Sequence, residues 1–213
     1  MNRQDADALA VRFVSEIDEV LDFWLGACGA DGALDPAKRK MWFGDGRRHD
    51  AAIRQRFGAL HERAARGELE PHWTQDARGR LALIVVLDQF SRHIHRDSGA
   101  AFAQDAAAQR LATDGIAAAL DRGLIPAARS FFYLPLEHAE DITLQRLSVE
   151  TFRRLCRAVA PAWRKDYESF LDYAQRHHDI IARFGRFPHR NIALGRESTP
   201  EEIDFLKQPG SSF

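Results

Sequence analysis

The sequence predicts an all-α fold, and three observations carry that expectation. Apolar residues recur at three- and four-residue intervals through most of the chain. No run alternates with a period of two for long enough to make a strand. Capping residues, prolines and glycines bound the periodic stretches. About seven to nine helices are expected, joined in hairpins and packed as a helical superhelix or an irregular bundle. Residues 1–15 read as an N-terminal extension and 16–213 as one domain, since 213 residues are enough for a single core.

The elements follow in order. Ser15 and Asp18 resemble a capping box ahead of the apolar stripe Val20, Leu21, Phe23, Trp24 and Leu25, so a first helix is expected near 16–27. Gly26, Gly29 and Gly32 interrupt it, and Pro36 to Phe43 fits a short helix. Asp50 is read as the cap of a helix carrying Ile53, Phe57, Leu60 and Ala64 as far as Gly67. After a loop around Pro71 and Trp73, Asp76 can cap a further helix that runs to Arg96. Its middle, Leu81 to Leu87, is apolar on every side and suits a helix surrounded by others. Ser98 opens an Ala-rich stretch to Arg122, with Gly123 as its stop. Pro126 starts the next helix, and Pro135 is expected to kink or end it, because proline lacks the backbone N–H and clashes one turn back. Leu144 to Val159 and Pro161 to Phe184 read as amphipathic helices. Gly185 and Pro188 then enforce a loop through Asn191, and Thr199, Pro200 and Glu202 begin a last helix over 200–207.

Composition removes several function classes. Thirty Lys and Arg stand against thirty-one Asp and Glu, a net charge of -1, which denies the chain the overall positive field of a nucleic-acid binder. Asp5 and Asp7 lie where a signal peptide would be basic or apolar, and Leu81 to Leu87 falls far short of the roughly twenty residues of a membrane helix. A cytoplasmic protein without a membrane partner is expected. Cys28 and Cys156 form no Cys-x-x-Cys pair and are read as two buried, reduced thiols. The motifs of zinc proteases, di-iron bundles, serine hydrolases and nucleotide-binding loops are absent, so neither a cofactor nor a metal is expected. Nothing fixes an oligomeric state.

Five segments together resemble the bacterial domain-of-unknown-function 924 family: Val20 to Leu25 (VLDFWL), Leu87 to Arg96 (LDQFSRHIHR), Phe132 to Asp141 (FYLPLEHAED), Phe184 to Asn191 (FGRFPHRN) and Leu194 to Glu202 (LGRESTPEE). The resemblance covers nearly the whole chain from Ile17 onward. It implies a tetratricopeptide-like helical fold and brings no established activity. The family pattern has proline at Ser91, asparagine at His93, an aromatic residue at His95, methionine at Glu137 and serine at Ala139, all departures in this chain.

Candidate site residues fall in three places. Asp88, Gln89 and Arg92 close the most apolar helix, where Asp88 and Arg92, four apart, can pair on one face, either tying helices together or lining a wet pocket. His138, Glu140 and Asp141 follow Pro135; capping by Glu140 or Asp141 is favoured there over a metal site. The loop from Arg183 to Arg196 holds Arg186, Arg190, His189 and Asn191 without a carboxylate, a set suited to a carboxylate or phosphate, or else to internal pairing with Asp88, Glu140 or Asp141. Of the adjacent His177 and His178 only one can face inward, and the resemblance favours His177. Two functions fit: a binding module for a small anionic ligand or acidic peptide, or an enzyme with a histidine–carboxylate acid–base pair and an arginine clamp.

Overall fold

The computed structural model describes residues 3–44 and 46–212. Among them the chain is all-α, with α1 (Arg3–Leu25), α2 (Pro36–Phe43), α3 (Arg47–Ala65), α4 (Glu70–Trp73), α5 (Ala77–Ile84), α6 (Ser91–Ile94), α7 (Asp105–Ala117), α8 (Pro126–Glu137), α9 (Ile142–Ala158), α10 (Arg164–Phe184) and α11 (Pro200–Leu206). A π-helical turn, Val85–Phe90, joins α5 to α6, so residues 77–94 form a continuous rod. The eleven α segments exceed the expected seven to nine, because that rod is divided by its π turn and the expected loop at Pro71 and Trp73 is the single-turn α4.

Every residue from Leu81 to Asp88 is buried, and the rod is packed by α1, α3, α7 and α8. Burial on every face explains why this stretch lacks a polar stripe. α8, α9 and α10 follow one another as packed neighbours, and Phe131, Phe132, Phe152 and Phe170 on them are buried. Truncating a buried ring such as Phe132 to alanine typically costs about 3–5 kcal/mol. α7 reaches α8 closely at Gly115, where an added Cβ would lie 2.4 Å from the Phe132 ring. No described helix is long and apolar enough to cross a membrane.

Several boundaries move. α1 begins at Arg3, so Ser15 lies inside a helix and caps nothing, and helix covers most of the expected extension. α3 starts at Arg47, which places Asp50 in its first turn rather than at its cap. The Ala-rich stretch divides into a short 3₁₀ turn capped by Ser98, then α7 from Asp105, then a second 3₁₀ turn at Leu120–Gly123 after Ala119, whose φ is 57°. Cys28 is half-buried rather than buried, Cys156 is buried, and both are free thiols.

Other caps agree. Asp76 accepts from the Gly79 backbone at 2.8 Å, and Thr199 and Glu202 form a complete capping box on α11. Pro135 sits in the last turn of α8, which ends at Glu137, and the chain turns before Asp141 caps α9 through the Thr143 and Leu144 amides. That turn delivers Glu137 and His138 to the flank of the rod. Gly185, at φ 69°, closes α10 in the left-handed region and launches the arginine loop.

Candidate functional site

A cleft of about 620 Å³ opens where the rod, the end of α8, α10 and the arginine loop meet. Asp88 lies in the π turn. Such turns widen a helix by one residue and recur at functional sites; here the turn sets a fully buried carboxylate behind the cleft lining. Asp88 accepts from Gln89 Nε2 at 2.6 Å and meets Arg92 Nη1 at 3.0 Å and His138 Nδ1 at 2.8 Å. Burial works to raise its pKa, but the charge of Arg92 and the His138 contact hold it far below the ordinary carboxylate range. Asp88 is therefore ionised, and an ionised carboxylate only accepts, so His138 carries its proton on Nδ1 and turns Nε2 to the cleft.

Arg92 extends the pairing. Its two Nη atoms reach the Asp105 carboxylate at 3.0 and 3.2 Å, and Asp105 also accepts from Arg190 Nη1 at 3.1 Å. Arg190 is 6% exposed, and its guanidinium lies between the Phe102 and Phe187 rings, 4.6 and 4.4 Å from their centroids. Its Nε is buried without a hydrogen-bond partner. Burial, then the neighbouring charge of Arg92, push its pKa down to about 10.

The histidines are held neutral. Burial, reinforced by Arg92, lowers His138; burial and then His138 carry His177 well below its usual value; burial and Arg190 bring His189 to about 4. His177 faces inward, with Nδ1 2.8 Å from the Tyr173 carbonyl and 3.2 Å from Glu137 Oε1. Glu137 is fully buried with Oε2 unpartnered, and burial followed by the charge of Asp88 raises its pKa well above normal.

Of the residues expected at a site, Gln89, Arg92, His138, His177 and Arg190 line the cleft, with Asp88 directly behind them. Arg186 is not there. It pairs with Glu202 at 2.6 and 2.8 Å instead of Asp88, Glu140 or Asp141, and its partner is drawn down to about 2. Glu140 staples the loop to the core, accepting from Arg196 at 2.6 and 2.9 Å and from the Phe187 amide at 2.8 Å. Asn191 is buried and bonds Ser198 and Glu202, and Asp141 is the exposed cap of α9. Arg186 and Asn191 meet Glu202, and Glu140 meets Arg196, because the loop and the helix after it carry these partners. Arg190 finds Asp105, from a helix that reads in sequence as an alanine-rich packing surface.

Asp105 and His93 were not legible as site residues, whereas His189 of the arginine loop does line the cleft. His93 Nδ1 lies 2.7 Å from Asp50 Oδ1, and Arg96 holds both Asp50 oxygens, repeating further along the rod the His138–Asp88–Arg92 arrangement. The cleft lining thus presents Arg92, Arg96 and Arg190 with four histidines, against Asp97, itself paired with Arg47 at 2.9 Å. Among the described residues no group of three or more His, Cys, Asp or Glu is placed to hold a metal.

A family model for bacterial proteins of unknown function, DUF924, matches residues 20–210. A solved structure of a protein of unknown function from Agrobacterium tumefaciens is 33% identical, with a TM-score of 0.69, and the alignment covers 94% of this chain and 98% of that one. No curated protein matches. The chain belongs to the DUF924 family of bacterial proteins of unknown function.

Proposed function

We propose that the cleft binds a small anionic ligand with Arg190 as its anchor. The observation that carries this reading is the state of Arg190: one Nη is committed to Asp105, Nε has no partner, and two aromatic rings fix the guanidinium at the cleft wall. A buried cation left partly unsatisfied costs free energy that an incoming carboxylate or phosphate recovers. A small ligand fits better than an acidic peptide, because Arg186, Arg183 and Arg196 are all engaged by glutamates and offer no extended basic track. The cleft volume lies within the range of small-molecule sites.

A second reading, an enzyme, is favoured by the Asp88–His138 pair. A buried carboxylate on Nδ1 orients the ring and supports charge on it when Nε2 takes a proton. Thermal unfolding with acetate, phosphate and sulfate, in the protein and in Arg190→Gln, tests the binding reading. A ligand at 100 times its Kd adds about 2.7 kcal/mol of stability. That gain appears in the parent and disappears in a folded Arg190→Gln; an equal gain in both refutes the assignment.

A further inference from the structure

Building on the anion-binding reading, we infer that the ligand is a hydroxylated monocarboxylate of the sugar-acid class, its carboxylate on Arg190 and its hydroxyls donating to Nε2 of His138 and His93.

Charge sets the first half. Arg92 and Arg190 share the site with the carboxylates of Asp88 and Asp105, so this inner cluster balances before any ligand enters. A monoanion adds one negative charge against a guanidinium whose Nε has no partner; a dianion adds two to the same buried cluster. Nη1 of Arg190 is already used, which leaves the Nε side of the fork, the edge that matches the two oxygens of one carboxylate.

Hydrogen-bond inventory sets the second half. His138 and His93 each give Nδ1–H to a carboxylate, at 2.8 and 2.7 Å. Each therefore offers the cleft a lone pair on Nε2 and no proton. Arg96 Nη2 stands 3.3 Å from His93 Nδ1, but both are donors, so Asp50 is the partner that fixes the tautomer. Two acceptors fixed on separate elements, α6 and the end of α8, call for a ligand with at least two hydroxyl donors beyond its charge. Trp42 and Phe102, also in the lining, supply aromatic surface for its C–H face.

Calorimetric titration with D-gluconate, hexanoate and sorbitol separates the requirements. Gluconate should bind saturably and at least about tenfold tighter than hexanoate, the difference expected from one or two hydrogen bonds, and sorbitol should bind weakest. His93→Phe keeps a ring beside Trp24 and removes Nε2; it should cost gluconate about tenfold and leave hexanoate unchanged. If that variant does not fold, the ¹⁵N shifts of the parent decide: at neutral pH both histidines should carry the proton on Nδ1, and gluconate but not hexanoate should move both Nε2 signals. Hexanoate binding as tightly as gluconate, or protonated Nε2 in either free histidine, overturns the inference while the anion site stands. Failure of every carboxylate to bind overturns the inference, and failure of phosphate and sulfate as well overturns the anion site.

Discussion

Asp88→Asn is the substitution whose consequence follows most fully from the structure. The carboxylate is fully buried and meets Arg92, His138 and Gln89 at 3.0, 2.8 and 2.6 Å. Asparagine keeps the shape and removes the charge, leaving Asp105 as the charged partner of Arg92 beside its bond to the residue 88 carbonyl. Removing one partner of a buried pair costs about 3–5 kcal/mol, and the retained Asp105 contact places this case near 3 kcal/mol. For a domain of this size that is a fall in Tm of roughly 6–12 °C. The effect has a pH signature. The Asp88 pKa is depressed in the folded state, so its contribution is full above the unfolded carboxylate value of about 3.9 and is lost as pH falls through the folded value. Urea unfolding at pH 7 and at pH 3 measures both quantities. A loss below about 1 kcal/mol at pH 7 would refute the claim that Asp88 is the charged centre of the cluster.

Other outcomes follow from the same contacts. Glu137→Met removes a buried acid with an unpartnered oxygen; the raised pKa stabilises the fold below about pH 4.3 and loses that contribution as pH rises through the folded value. At neutral pH the variant should therefore be as stable as the parent or more so, and its stability should no longer decline over that rise in an unfolding series from pH 4 to 9. His189, held at about 4, destabilises the fold as pH falls from about 6.5 toward 4, and His189→Gln should flatten that part of the stability curve. Ala119 adopts φ 57°, so Ala119→Gly should raise stability by about 0.5–1 kcal/mol in denaturant titration, against the usual cost of introducing glycine.

Helices were legible wherever a cap or a breaker stood beside an apolar stripe. Pro36, Asp76, Pro126, Gly185 and Thr199 each mark a real boundary because each acts on its own backbone. Ser15 and Asp50 misled for the complementary reason: either residue can cap, but α1 continues through Ser15, and Asp50 turns its carboxylate to His93 and Arg96. The π turn has no composition of its own, so the position of Asp88 on the buried rod was visible while its widened backbone was not. At the site, the Asp88–Arg92 pair was readable from helical spacing, and the inward-facing His177 was favoured by the family resemblance. Asp105, 85 residues before its partner Arg190, was not, since no local rule links residues so far apart. The loop arginines could be recognised as a group, but their partners decided their roles, and Glu202 took Arg186 out of the cleft.

The central claim, that Arg190 is the anchor for a bound anion, is tested most directly by following the Nε–Hε resonance of Arg190 during an acetate titration. The structure leaves that N–H without an acceptor in the free protein, so acetate should shift its resonance downfield along a saturating curve. An Arg190 resonance that stays fixed while acetate saturates the protein elsewhere would contradict the account.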